Sequence, residues 1–156
     1  MSDVGNYIEI RKIGPEDEAD WRACFRAFWA HFDRNLDADL YDLAWQRLSS
    51  GTEGMYAIGA FADGQLIGIA NVVFHRSFSA EGFDHYLQHL FVVLHARRRG
   101  VGRQLIEYIY TLVQHDGGHR VYWNTPADNP AAIALYEEVA SFTGFRLYRK
   151  EFLRNR

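Results

Sequence analysis

The run Arg97-Arg98-Arg99-Gly100-Val101-Gly102-Arg103 combines three means of holding a phosphorylated ligand. It follows the apolar string Leu90-Phe91-Val92-Val93-Leu94 and opens the amphipathic stretch 104–113, so a strand passes through a basic, glycine-containing turn into a helix. The first amides of a helix have no acceptor within it and sit at the positive end of its dipole. Gly100 and Gly102 let the main chain approach a ligand closely. The arginines add charge in a planar fork that suits phosphate. The segment reads as an anion cradle, against the plain alternative of a surface turn with solvated arginines.

Spacing narrows the ligand. A nucleoside triphosphate loop needs Gly-Lys and then Ser or Thr, whereas Gly102 is followed by Arg103-Gln104. A dinucleotide fingerprint needs a third glycine, and position 105 is Leu105. What remains is Arg-x-x-Gly-x-Gly on Arg97, Gly100 and Gly102. Further on, residues 129–136 read Asn-Pro-Ala-Ala-Ile-Ala-Leu-Tyr, an Asn-x-x-Ala-x-x-Leu-Tyr string carried by Asn129, Ala132, Leu135 and Tyr136. In this order, each behind an apolar strand, the two strings resemble the cofactor-binding half of the GNAT superfamily of N-acetyltransferases. The resemblance spans residues 7–152, is strongest over 86–152 and weakest over 13–50. Tyr86-Leu87-x-x-Leu90-Phe91-Val92, Val121-Tyr122-Trp123-x-Thr125 and Gly144-Phe145-x-x-Tyr148-Arg149-Lys150 look like the branch of Hpa-type histone and polyamine acetyltransferases and diamine acetyltransferases.

That resemblance implies acetyl-CoA as donor and a primary amine as acceptor, whose transfer poses three physical problems. The amine must be neutral to attack, and a lysine-like amine has a pKa of about 10.4. Charge developing on the thioester oxygen needs a hydrogen-bond donor. The departing thiolate is helped by a proton. Tyr136 occupies the family's acid position; otherwise it only packs against or hydrogen-bonds the cofactor. Main chain near Phe91, Val92 and Val93 is implied as oxyanion donor and pantetheine partner. Arg97, Arg98, Arg99, Gly100, Val101, Gly102 and Arg103 are implied to hold the pyrophosphate, with one or two of the consecutive arginines merely solvated. Asn129, with Ala132, either contacts the pantetheine arm or caps its helix. Many relatives carry an acid on the fourth strand, but the aligned stretch here is Leu87-Gln88-His89-Leu90. His89 can take a proton directly or through water, or is simply a packed histidine. Gln88 can orient water or bind substrate. Glu81, Asp84 and His85 are upstream alternatives, and water alone is another.

The branch suggests a basic acceptor: a polyamine, a lysine-like amino acid or a lysine side chain. Residues 14–42 hold eight acids against three arginines, and residues 95–156 hold ten bases against six acids. An acidic acceptor wall and a basic cofactor half agree with this, as do ordinary charged helix faces. Trp29, His31, Phe32, Asp33 and Tyr41, with Asp84, are the candidate wall residues, or packing residues. Antibiotics and protein N-termini are alternative acceptors, and a non-catalytic acyl-CoA-binding or interaction module is the competing class.

The elements that position these residues follow from periodicity. Strands are expected over 7–13, 55–61, 65–74, 85–94, 119–125 and 145–152, and helices over 16–31, 38–48, 104–115 and, behind an Asn129 cap, 130–142. Ala62-Asp63-Gly64 is a hairpin signal. The expected architecture is one α/β domain over 1–156, GNAT-like, with a mixed, mostly antiparallel sheet of six to seven strands flanked by four helices. The family resemblance adds a parallel fourth and fifth strand that splay apart around the pantetheine arm, and dimers through the C-terminal strands. Net charge is −3, which does not advertise nucleic-acid binding. No apolar run approaches membrane-spanning length, and residues 1–6 lack the pattern of a secretory leader. The single cysteine, Cys24, fits a reducing cytoplasm and an inert core thiol. No metal site is expected.

Overall fold

A tight turn sets the centre of the sheet. Asp63 and Gly64 both take left-handed conformations (φ 50° and 75°), the pair of positive φ values that a two-residue hairpin favours. The turn joins β2 (Met55–Ala62) antiparallel to β3 (Gln65–His75). β1 (Ile8–Lys12) pairs antiparallel outside β2, and β4 (Asp84–Val92) antiparallel outside β3. β5 (Arg120–Tyr122) then pairs with β4 in parallel, giving the order β1-β2-β3-β4-β5. The computed structural model describes residues 7–153, so the reading of residues 1–6 lies outside it. The chain forms two compact units, one ending at Asn124 and one beginning at Thr125.

In the first unit, α1 (Glu18–His31), α2 (Ala38–Ser50) and α3 (Val101–His115) cover the sheet. Successive strand residues point to opposite faces. Ile69 lies in a core cluster with Trp21, Cys24 and Phe25 of α1 and Tyr41 of α2. Its neighbour Gly68 faces the other way, where a Cβ would stand 3.3 Å from Leu105 and Val101 of α3. Leu105, Ile106 and Ile109 are fully buried there, each contributing about 1.5–3 kcal/mol through removal from water. Burial pushes the Cys24 thiol up to about 12, which leaves it protonated and unreactive. The second unit holds α4 (Pro130–Val139), so the four expected helices are present.

The strand count is corrected: among the described residues the sheet has five strands, not six to seven. Residues 141–153 have no regular structure, and Phe145, Tyr148 and Phe152 are exposed. Alternation marks residues that suit a strand, but a strand exists only where its main chain finds a ladder partner. β5 stops at Tyr122 rather than Thr125 because its pairing with β4 ends at Tyr86–Tyr122. β4 begins at Asp84 rather than His85, since Asp84 pairs with both His75 and Arg120. α4 ends at Val139, because Ala140 is extended (φ −150°). No helix among the described residues is long and apolar enough to cross a membrane.

Candidate active site

The pairing of β3 with β4 slips by one residue at the site. Asn71 stands opposite His89, but Val72 stands opposite Leu87, so Gln88 is the extra residue of a β-bulge. Strict alternation would send Gln88 and His89 to opposite faces. With the bulge, both line one cavity of about 230 Å³ in the first unit. Its walls are Trp21, Phe25 and Trp29 from α1, Leu40, Leu43, Ala44 and Arg47 from α2, and Asn71 from β3. The bulge is a relation between two strands, and nothing in the local sequence marks it.

His89 is caged by aromatics, with Phe28, Phe25 and Trp29 rings centred 4.8, 5.1 and 5.6 Å away. Burial drives its pKa down to about 4, so the ring is neutral at physiological pH. The indole Nε1–H of Trp21 donates to Asn71 Oδ1 at 3.0 Å. An indole can only donate, so the Asn71 amide is pinned with its NH2 toward His89 Nδ1, 3.4 Å away. Nδ1 therefore accepts, and the ring's proton sits on Nε2. Sequence reasoning missed Asn71; a lone polar residue in the apolar string of β3 was its signal. It also missed Arg47, which has no such signal.

The cradle has the backbone that its glycine predicts. Gly100 (φ 74°) and Arg98 (φ 61°) are left-handed, and α3 begins at Val101 directly after them. Among the described residues, no atom beyond its chain neighbours lies within 4 Å of the place a Gly100 Cβ would occupy. The Val101 and Gly102 amides precede the first intrahelical bond, which runs from Gln104 N to Gly100 O. A pyrophosphate fits this open, donor-rich turn. Arg98 and Arg99 are exposed. Arg97 instead folds back: its Nε donates to the Val92 carbonyl at 2.8 Å, and its guanidinium lies over the Phe91 ring. Arg103 approaches Glu107 one turn on, at 3.9 Å.

Beyond Tyr86, β4 has no strand paired to its outer edge among the described residues, since β5 pairs with it only over Asp84, His85 and Tyr86. Val93 N donates to Ile67 O of β3 and is thereby consumed. Main-chain direction alternates along a strand, so the Val92 amide points away from β3, on the side β5 has left. Phe91 is buried in the core cluster with Trp21 and Phe25. In the second unit, Asn129 is the helix cap: its Oδ1 accepts from Ala132 N at 3.3 Å, and Pro130 takes the first helical position. Burial pushes the Tyr136 phenol above its ordinary pKa, which keeps it protonated.

The candidate wall residues divide. Trp29 lines the cavity with Gln88 and His89. Tyr41 is buried, donating its hydroxyl to Asn35 Oδ1 at 3.0 Å, and does not line it. Asp33 sits in the exposed turn after α1, and His31 and Phe32 are exposed beside it. Asp84 and His85 lie buried at the start of β4, away from the cavity lining; His85 Nδ1 meets the Tyr56 hydroxyl at 2.9 Å. Several acids of 14–42 are held by arginines. Asp17 takes both Arg11 nitrogens, at 2.7 and 3.0 Å, and Arg22 bridges Glu18 and Asp42. Among the described residues no carboxylate lines the cavity.

Similarity to known proteins agrees with this geometry. The chain is 29% identical over 149 residues to the D-amino-acid N-acetyltransferase HPA3 of Saccharomyces cerevisiae, covering 94% of this chain and 92% of that one. The fold matches an aminoglycoside acetyltransferase from an uncultured soil metagenomic sample, solved with sisomicin, at TM-score 0.83 and 16% identity over 98% of this chain and 100% of that one. It also matches the ribosomal-protein-alanine N-acetyltransferase of Brucella melitensis biovar Abortus 2308, at TM-score 0.75 and 18% identity over 94% and 100% of the two chains. Residues 19–142 match the Acetyltransferase (GNAT) family, whose acetyl donor is acetyl-CoA, and the chain belongs to that family of N-acetyltransferases.

Proposed function

We propose that the chain moves the acetyl group of acetyl-CoA directly onto a small primary amine in a ternary complex, with residues 1–156 acting as one catalytic domain. The observation that carries this reading is the bulge at Gln88, which brings two polar side chains into an aromatic cavity beside the open edge of β4. Acetyl-CoA, when bound, supplies a thioester carbon open to attack. The Val101 and Gly102 amides, with Arg98, Arg99 and Arg103, hold the pyrophosphate. The Val92 amide donates to the thioester oxygen as charge builds there. Asn129 and Ala132 steady the pantetheine arm at the head of α4. Tyr136, kept protonated by burial, gives its proton to the leaving thiolate.

The His89 ring, held near pKa 4, is a poor acceptor for an ammonium proton. The neutral His89 serves better as a donor from Nε2 to a water that takes the amine's proton, while the Gln88 amide oxygen accepts from the amine. The polyamine or lysine-like acceptor that the sequence suggests finds no carboxylate along the cavity. The name of the yeast relative supports an amino acid among small amines. A homodimer and a cytoplasmic setting belong to this reading, supported by the exposed Phe145, Tyr148 and Phe152 and by the lone cysteine.

The test is thiol release from acetyl-CoA with amino acids, spermidine, putrescine, an aminoglycoside and a lysine peptide as acceptors. Acceptor-dependent release above background is the expected outcome. Tight coenzyme binding with no release for any acceptor would favour a binding module instead.

A further inference from the structure

The lining of the cavity beside Gln88 and His89 has a definite chemistry. Trp21, Phe25 and Trp29 present aromatic surface, and Leu40 and Leu43 close the opposite side from α2. Among its lining residues Arg47 alone is charged. Arg47 is exposed and forms no ion pair among the described residues. Its helical neighbours at three and four positions are Leu43, Ala44, Ser50 and Gly51, none of them charged. Gln88 is the other exposed polar member of the lining, so the polar end of the cavity is its mouth. The inner residues are mostly apolar, with Tyr56, Asn71 and the neutral His89 among them.

A polyamine suits such a site poorly. It would bring a second positive charge toward Arg47 and away from water, with no carboxylate to meet it. A multi-ring aminoglycoside, itself a polycation, meets the same repulsion from Arg47, and the cavity of about 230 Å³ would enclose only part of it. An α-amino acid with a large apolar side chain matches each feature. Its side chain enters among Trp21, Phe25 and Trp29. Its amine and carboxylate, held side by side on one carbon, stay together at the mouth.

We infer that the acceptor is an apolar, preferably aromatic, α-amino acid, with Arg47 pairing its carboxylate while its amine faces Gln88 and His89. This deepens the proposed acetyl transfer and rests on it. Arg47 then acts as the specificity residue. It separates an amino acid from the corresponding amine without the carboxylate, and it repels polycations.

The experiment measures kcat/KM for thiol release from acetyl-CoA with D- and L-phenylalanine, phenethylamine and spermidine, using the full chain and its Arg47→Gln and Arg47→Lys variants. The better phenylalanine enantiomer should exceed phenethylamine and spermidine by about tenfold, the scale of one exposed charge-assisted hydrogen bond. Arg47→Gln should reduce the preference of phenylalanine over phenethylamine to about one, through KM, and Arg47→Lys should restore part of it. Arg47 is exposed, so both variants are expected to fold. Preference for spermidine or phenethylamine by the full chain would overturn the inference and leave acetyl transfer standing. A phenylalanine preference that survives Arg47→Gln would overturn the role of Arg47. No release with any of the acceptors would overturn the proposed reaction as well.

Discussion

Asn71 and His89 face one another across the β3–β4 pairing, with Asn71 Nδ2 3.4 Å from His89 Nδ1. The indole of Trp21, 3.0 Å from Asn71 Oδ1, decides which of them donates. This three-residue relay fixes a tautomer, and burial among aromatic rings fixes the charge. Together they turn a residue type usually associated with proton abstraction into a neutral donor.

That assignment has a pH signature in stability. The unfolded ring titrates near 6.5 and the folded ring at about 4, so between these values the unfolded chain binds more protons. Stability from this group is full above 6.5 and is lost as pH falls toward 4. Between pH 7.5 and 4.5 the loss from His89 alone is about 2–3 kcal/mol. His89→Gln keeps a side-chain donor and cannot titrate, so its denaturant-unfolding free energy should fall less over that interval by about that amount. Parallel pH profiles of the two proteins would remove the buried, neutral His89 from the account.

The same residue predicts the shape of the rate profile. If the amine loses its proton to water rather than to His89, kcat/KM follows the fraction of neutral amine. It should rise about tenfold per unit from pH 6 toward the pKa of the acceptor, without an inflection near 6.5. Initial rates across pH 6 to 9 check this. A limb near 6.5 that disappears in His89→Gln would restore His89 as the base.

What could be read in the sequence was local. Gly100 at the start of α3, the Asp63-Gly64 hairpin and the Asn129 cap each depend on a few neighbouring residues, and each stands where its residue types place it. Trp29 is legible in the sequence as a candidate wall residue, but its meeting with Trp21 and Phe25 along one cavity is not. The rest depends on pairing. The bulge at Gln88 exists only relative to β3, and Arg47 meets the site only because α2 lies over the same sheet face. Phe145, Leu147 and Tyr148 carry strand-forming character, but a ladder is a property of two segments, and alternation in one cannot supply it. The acids of 14–42 show the same limit: their density in the sequence does not reveal that Arg11 and Arg22 hold Asp17, Glu18 and Asp42.

Tyr136 separates two roles that its position in the family motif leaves together. As a proton donor it acts on the leaving thiolate, and its raised pKa keeps the proton available through the physiological range. Tyr136→Phe preserves the ring and removes the hydroxyl. It should lower kcat by about a hundredfold, the ordinary scale of general-acid assistance, with the Kd for coenzyme A changed by less than about threefold. Stopped-flow turnover and calorimetric binding measure the two quantities. Equal losses in both would reassign the hydroxyl to holding the cofactor.

Gly100 and Gly64 offer a matched pair for testing the cradle. Both are left-handed (φ 74° and 75°), and among the described residues neither has an atom beyond its chain neighbours within 4 Å of the place a Cβ would occupy. Replacement by alanine therefore costs each site the same kind of backbone strain, about 1–2 kcal/mol, with no steric clash inside the protein. They differ in what the open space is for. Beside Gly64 it is solvent at a hairpin tip. Beside Gly100 it is the approach to the first amides of α3, where a pyrophosphate would lie. Gly64→Ala and Gly100→Ala should lower the unfolding free energy alike. Gly100→Ala alone should weaken coenzyme A binding, by about tenfold, because a methyl group there holds the phosphate off the amides. Thermal unfolding and calorimetry on the two variants separate these effects. Equal coenzyme affinity in both would mean that the phosphate is held by the arginine side chains and not by the main chain at Gly100.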